Sequence, residues 1–310
     1  MIKKKISFVL PVYNNSKTLK TLVAKIEKFL KDYNFKKYEI IMVDDRSTDK
    51  SWKIITDLSF KRKNYIGIRL RKNSGQSNAL MAGLENSTGD FVFTMDADLQ
   101  DRTEDLNKFI EKINSNKNID MILGRKINYN PNYIKRLGSI IFFSLFRLFS
   151  GIKLNNSSNF RLMKRSLVRE LINGNKYNIQ LSIAPLALGY KVDYVDVLWK
   201  DYKSISNYTF LKSLKLALYN LFFYTKLNVI VPISLTLFVI LILLALAIYI
   251  IYLYLVQGTT IPGYYSIIIL ILFGFVMNLI LFLSLIISIN NINKIVRDEK
   301  NYSVQEKLNI

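Results

Sequence analysis

The stretch Phe91-Val92-Phe93-Thr94-Met95-Asp96-Ala97-Asp98-Leu99-Gln100-Asp101 runs an apolar segment directly into a group of acids. A strand that leaves a core and ends in two carboxylates one residue apart is costly unless a cation neutralises them. Along an extended chain, alternation points Asp96 and Asp98 to the same side, with the small Ala97 opposed. With Gln100 as a further oxygen donor, this set suits Mg²⁺ or Mn²⁺, ions held by one or two carboxylates while substrate phosphates complete the shell. An acidic strand-to-helix turn, with an Asp capping the next helix, is the structural alternative for the same residues.

Outward from that stretch, strand-like and helix-like segments alternate. Lys5 to Leu10 is a strand pattern ending at Pro11, and Thr18 to Tyr33 carries Leu19, Leu22, Val23, Ile26, Phe29 and Leu30 at helical spacing. Glu39 to Val43 is a strand ending in Asp44-Asp45, and Ser47 and Asp49 are candidate N-caps for a helix through Ile54, Ile55 and Leu58. Strand Tyr65 to Leu70, helix Gln76 to Asn86, strand Asp90 to Met95, helix Glu104 to Asn114 and strand Asp120 to Gly124 follow. Such alternation predicts an α/β, mostly parallel sheet with helices on both faces, and such sheets bind ligands beyond the carboxyl ends of their strands. Tyr13-Asn14, Asp44-Asp45, Asn73, Asp96-Asp98 and Arg125 all sit at such ends.

The C-terminal third has a different chemistry. From Leu227 to Asn293 there is no Asp, Glu, Lys or Arg; Val229 to Val256 and Tyr264 to Ile289 are apolar runs separated by the turn Gln257 to Gly263. Each exceeds the roughly 20 residues needed to cross a bilayer. The expected organisation is a catalytic domain over 1–208 with an interfacial helix at 133–152, a juxtamembrane amphipathic helix at 209–227, transmembrane helices at 228–256 and 264–290, and a tail at 291–310. Lys200, Lys203, Lys212, Lys215 and Lys226 precede the first span, and Lys294, Arg297 and Lys300 follow the second. The positive-inside rule then places the domain and the tail in the cytoplasm, on a multi-pass protein of the cytoplasmic membrane. Residues 133–152 and 209–227 mix basic and apolar side chains as helices lying in the headgroup plane do, although ordinary core packing accounts for the same pattern.

The chain of 310 residues has a formal charge of +21, no His and no Cys. Disulfides are therefore excluded. So basic a chain fits nucleic acid or an anionic membrane surface, and the spans favour the membrane, leaving no nucleic-acid partner expected. Lys, Asn and Ile are abundant throughout, as a coding bias produces, and a solvated basic face needs no ligand.

Pro11-Val12-Tyr13-Asn14, Val43-Asp44-Asp45-x-Ser47-Thr48-Asp49, Asn73-x-Gly75-x-x-x-Ala79-x-x-x-Gly83, Met95 to Asp101 and Phe160-Arg161-Leu162-Met163 occur in that order. Together they resemble family 2 glycosyltransferases of the dolichol-phosphate mannose synthase type, in particular the bacterial polyprenyl-phosphate glucosyltransferases with two C-terminal spans. The resemblance implies a GT-A, Rossmann-like catalytic domain followed by interfacial and transmembrane helices. It implies inverting transfer of a sugar from a nucleotide-diphosphate sugar, UDP-sugars favoured, to a polyprenyl phosphate for envelope glycan modification. By motif, Pro11, Tyr13, Asn15, Asp44, Asp45, Asn73 and Ala97 would line the donor site, and Arg125 would approach the donor phosphates. Asp96, Asp98 and Gln100 would hold Mg²⁺ or Mn²⁺. Asp98, Asn159 and Arg161 would serve the reaction, Arg161 from the acceptor side. The chain departs from the family pattern at Asn15 (usually Glu), Arg46 (usually Gly) and Asn159 (often Asp). It departs again at Asp201 to Tyr208, where the usual Arg and Lys contacts to the donor are displaced.

The residue inventory agrees with a phosphate acceptor. A sugar hydroxyl needs a general base, commonly His. A phosphomonoester, with a second pKa of about 6, arrives anionic, leaving positioning and charge neutralisation to metal, Arg and Lys. Two other readings stay open: a transferase with another lipid or glycan acceptor, and a non-catalytic membrane-anchored nucleotide-sugar scaffold. A processive polysaccharide synthase commonly carries Gln-x-x-Arg-Trp, absent here, where the only Trp residues are Trp52 and Trp199. The two-span anchor would suit a homo-oligomer.

Overall fold

The computed structural model describes residues 4–127, 133–155, 157–174, 180–198, 210–225, 227–257, 263–296 and 302–309. Lys200, Asp201, Lys203, Asn207, Lys226, Arg297 and Lys300 lie outside the described residues. Two compact units divide the chain. One comprises Met1–Arg147, Ile152–Thr209 and Asp298–Ile310; the other comprises Leu148–Gly151 and Phe210–Arg297.

In the first unit, β1 (Ile6–Val12), β2 (Tyr38–Asp44), β3 (Tyr65–Leu70) and β4 (Phe91–Thr94) alternate with α1 (Leu19–Asp32), α2 (Ser51–Lys61) and α3 (Gln76–Glu85). A 3₁₀ turn at Thr103–Asp105 leads into α4 (Leu106–Ser115), followed by β5 (Met121–Lys126), α5 (Tyr133–Ser150), β6 (Ser157–Lys164), α6 (Arg165–Asn173), α7 (Ala184–Ala187) and β7 (Val192–Val197). Strand β1 is buried along its whole length, as a central strand covered on both faces must be. Helix α1 buries the six apolar residues that its sequence spacing singles out. Phe8 stacks on Phe93 at 5.1 Å, and Phe109 meets Phe160 at 4.4 Å. Helix α3 lies close against the sheet because Gly83 has no side chain: a Cβ there would stand 2.3 Å from Val9 Cγ1.

The eight-stranded sheet has the order β7-β5-β6-β4-β1-β2-β3-β8, where β8 is Val304–Leu308. β1 pairs in parallel with β2 and β4, as do β2 with β3 and β5 with β7. The sheet is mostly parallel, as expected, with two strands, β6 and β8, running against the other six. Strand β6 inserts antiparallel between β4 and β5, pairing Arg161 with both Thr94 and Leu123. Strand β8 closes the far edge antiparallel to β3. Residues 302–309, read from sequence as part of a tail, thus belong to the catalytic sheet. The antiparallel run of β6 brings its first residues to the carboxyl ends of β4 and β5, and so places Asn159 and Arg161 where the acidic stretch emerges.

The second unit contains α8 (Phe210–Tyr224), α9 (Leu227–Gln257) and α10 (Tyr264–Val296), the last two 31 and 33 residues long. Among the side chains that are described, no stretch is long and apolar enough to cross a membrane. In the full sequence of α9 and α10, by contrast, no Asp, Glu, Lys or Arg occurs before Lys294.

Candidate active site

The acidic stretch is a turn rather than an extended chain. β4 ends at Thr94, and Leu99 takes a left-handed φ of 65°. Asp96 and Asp98 are therefore brought near one another by the turn and not by strand alternation, which corrects the geometry inferred from sequence. Two bonds fix the turn: the Gln100 amide donates to Asp98 Oδ1 at 3.0 Å, and Thr18 Oγ1 donates to the Ala97 carbonyl at 2.6 Å. Ala97 is buried, its methyl in the core under the turn.

Asp96 sits at the centre of a polar chain. Gln76 Nε2 donates to its Oδ1 at 2.5 Å, and Asn159 Nδ2 donates to its Oδ2 at 3.2 Å. Asn159 Oδ1 in turn accepts from Arg161 at 2.7 Å. Arg161 is 5% exposed, and its Nε and Nη1 find no hydrogen-bond partner among the described residues. A buried guanidinium with unused donors is expensive unless an anion completes it. Burial lowers Arg161 to about 10, against the opposing pull of Asp96 and Asp101. Burial, then the charge of Asp98, lifts Asp96 to about 6. Burial and the charge of Asp96 lift Asp101 to about 7, and burial raises Asp98 as well. Lys126 is lowered by burial, while Asp101, Asp96 and Asp98 pull it upward.

Among the described residues, no three acidic, His or Cys side chains converge closely enough to hold a metal by themselves. Asp96 and Asp98 could supply two carboxylates, and the rest of a divalent ion's shell would then fall to water or to ligand phosphates, the usual arrangement for Mg²⁺ and its relatives. The donor set fits such an ion: the carboxylates are all oxygen, mutually repelling and raised in pKa, so a cation between them relieves the strain.

A second wall is built by the loops after β1, β2 and β3. Pro11 lies in β1 beyond Val9, the last residue paired to β4, so its missing N–H leaves no bond to that strand unmade. Tyr13 is exposed, and its amide donates to Asn15 Oδ1 at 3.0 Å. Asn14, at a φ of 56°, accepts from the Thr48 amide at 2.8 Å. The Asn15 amide donates to Ser51 Oγ at 2.9 Å. Ser47 does not cap α2; its Oγ accepts the Asn14 amide at 3.0 Å and its own amide donates to Asp44 Oδ1 at 3.1 Å. Asp49 does satisfy the start of α2, accepting the Ser51 amide at 2.9 Å. Asp44 is fully buried against Arg69, Oδ2 to Nε at 3.2 Å. Asp45 accepts the Ser74 amide at 2.7 Å and the Gly75 amide at 2.9 Å, which ties β2 to the start of α3. Asn73 is exposed in the loop between β3 and α3.

Arg125 stands apart from this convergence. It is half-exposed, and its Nε pairs with Asp196 Oδ1 of β7 at 2.6 Å. From β5, the basic group that acts on the acidic cluster, alongside Arg161, is Lys126, the neighbour of Arg125. Strand alternation separates the two side chains, and which of two adjacent basic residues faces the site depends on a register that the sequence leaves undetermined. Gln76, bonded to Asp96, is a neighbour that motif spacing alone passes over, whereas Asp101, inside the quoted motif but given no role, joins the acidic cluster.

Solved structures with this fold include glucosyl-3-phosphoglycerate synthase from Mycobacterium tuberculosis in complex with UDP, at a TM-score of 0.52 and 17% identity, covering 70% of this chain and 80% of that one. The same enzyme with Mn²⁺, UDP and phosphoglyceric acid gives a TM-score of 0.51, 17% identity, and coverage of 70% and 78%. At such identity the likeness is one of fold. Among curated proteins, undecaprenyl-phosphate 4-deoxy-4-formamido-L-arabinose transferase of Pectobacterium atrosepticum is 29% identical over 216 residues, 69% of this chain and 65% of that protein. Its counterpart in Photorhabdus laumondii is 27% identical over 216 residues, 69% of this chain and 66% of that one. The chain thus spans just under two thirds of the length of these relatives. Residues 7–172, more than half of the chain, match the description Glycosyl transferase family 2. The chain belongs to that glycosyltransferase family.

Proposed function

We propose that the protein transfers a sugar, with inversion, from a UDP-sugar to a polyprenyl phosphate at the cytoplasmic face of a membrane. The observation that carries this reading is the juxtaposition of the Asp96–Asp98 turn with Arg161, a buried cation with two donor atoms unpartnered among the described residues. Asp96 and Asp98 would hold Mg²⁺ or Mn²⁺ on the donor diphosphate, where the ion supplies neutralisation of the departing charge. Arg161, with no proton to exchange at neutral pH, would orient the anionic acceptor. A phosphate oxygen attacks the anomeric carbon, the bond from that carbon to the diphosphate oxygen breaks, and its electron pair leaves on UDP. No proton must be removed from the nucleophile, consistent with a chain that has no His.

The names of the curated relatives, undecaprenyl-phosphate sugar transferases, support this acceptor and a role in envelope modification. The membrane setting draws on α9 and α10. At 1.5 Å per residue they are about 45–50 Å long, longer than the roughly 30 Å hydrocarbon layer. With their uncharged sequence they are read as two spans. Helix α5 supports an interfacial position, since Tyr133, Ile140, Ile141 and Leu148 are exposed beside Arg136 and Arg147.

Purified full-length protein, given labelled UDP-, GDP- and dTDP-sugars with a short-chain polyprenyl phosphate, tests the reading. Label entering the lipid phase from a UDP-sugar, and lost with EDTA, is the expected result. Nucleotide binding with no transfer from any donor would favour the scaffold reading instead.

A further inference from the structure

We propose that Gln305, on the C-terminal strand β8, is a positioning residue of the donor pocket and acts through Arg46. This rests on the reading of the Asp44–Ser47 region as donor-binding. Two departures from regular geometry meet at this point. Arg46 adopts a left-handed φ of 62°, a conformation that glycine takes freely and a side-chain-bearing residue takes at a cost. The β3–β8 ladder pairs Arg69 with Glu306 and then Leu70 with Val304, skipping Gln305, which is therefore the extra residue of a bulge. Bulges re-aim side chains, and here Gln305 Oε1 accepts a hydrogen bond from Arg46 Nη1.

The contact matters because of what Arg46 separates. Asp45 on one side holds the Ser74 and Gly75 amides, and Ser47 on the other holds the Asn14 amide. The left-handed turn at Arg46 therefore sets the spacing of the loops that follow β1, β2 and β3. Arg69, beside the bulge, is ion-paired with Asp44. The last strand of the chain thus braces the turn from outside the pocket: the Arg71 amide bonds to the Ser303 carbonyl at 2.9 Å, and Asn309 reaches the Tyr65 carbonyl at 2.9 Å. A segment that follows the long helices in sequence contributes to donor affinity without touching the donor.

The test uses full-length protein in detergent, UDP titration by calorimetry, and steady-state kinetics with a UDP-sugar. Gln305→Ala should raise the UDP Kd and the donor KM about three- to tenfold, the size of one ordinary net hydrogen bond, with kcat unchanged. Gln305→Glu, which keeps the acceptor, should restore wild-type affinity. In an Arg46→Gly background, where the turn needs no brace, Gln305→Ala should have no effect. Lys307→Ala removes a different β8 bond, to Asn86 Oδ1 at 2.8 Å, and should leave Kd unchanged. An unaltered Kd in Gln305→Ala, an equal shift in Lys307→Ala, or the same shift in the Arg46→Gly background overturns the inference. Wild-type protein that fails to bind UDP overturns the functional reading beneath it.

Discussion

Asp96→Asn should stabilise the metal-free protein at alkaline pH while removing its activity. Burial and the charge of Asp98 hold Asp96 at about 6, against an ordinary value of 3.8. A shift of about two units corresponds to about 3 kcal/mol. A carboxylate raised by folding binds its proton more tightly in the native state, so ionising it disfavours that state. The penalty is absent below about pH 4, grows between about pH 4 and 6, and is complete above about pH 6. Asn escapes it but meets one of the two donors that Asp96 accepts, Gln76 Nε2 or Asn159 Nδ2, with an amide instead of an oxygen. Asn159 is committed to Arg161, whereas Gln76 is exposed and can turn its amide, at a cost of about 1 kcal/mol. A net gain of about 2 kcal/mol raises the melting temperature of a domain of this size by about 4–8 °C. Melting of the detergent-solubilised chain, followed by tryptophan fluorescence at about pH 4 and pH 8, reads the difference. The gain should appear only at the higher pH, where Mn²⁺ should stabilise wild type and leave Asp96→Asn unmoved. A variant that melts lower at both pH values, or that responds to Mn²⁺ as wild type does, refutes the reasoning.

Arg161→Met should lower transfer by about 100-fold or more, the usual effect of removing one preorganised electrostatic donor, while the melting temperature holds or rises. Steady-state rates beside a melting curve would expose a merely structural role as a parallel loss of both. Glu39 is 3% exposed and accepts from Ser7 Oγ, the Thr88 amide and Thr88 Oγ1 at 2.6–2.7 Å, with Lys5 Nζ at 2.5 Å. Burial pushes its carboxyl up, yet these bonds outweigh burial and hold it below the ordinary value. Its contribution is present above that ordinary value and disappears as pH falls through the depressed one, so Glu39→Ala should cost about 3 kcal/mol near neutrality and progressively less in acid. Urea midpoints across that range check it. Gly83→Ala should destabilise by about 1–3 kcal/mol, because the added methyl meets Val9 Cγ1 at 2.3 Å on a stiff central strand; a denaturation midpoint equal to wild type would show that α3 can move away.

Much of the sheet was legible because burial on both faces forces strands β1 to β4 into apolar runs, and each run ends where polar loops converge. Asp96, Asp98, Asn159 and Arg161, singled out by residue type and order, lie together in the fold. What escaped was pairing. Nothing in Ser157–Lys164 distinguishes an antiparallel insertion from another parallel strand, and Val304–Leu308 has too little apolar character to announce an edge strand. The choice between Arg125 and Lys126 turns on register, and the turn at Leu99 depends on a left-handed conformation that no leucine signals.

The most direct test of the central claim is the identity of the two products. After incubation with a UDP-sugar and polyprenyl phosphate, mass spectrometry of the lipid and chromatography of the nucleotide report which bond was broken. Attack of the lipid phosphate on the anomeric carbon predicts a lipid with a single phosphorus between prenyl chain and sugar, with UDP released in equal amount. A lipid diphosphate-sugar with UMP released would mean attack at phosphorus and would contradict the account.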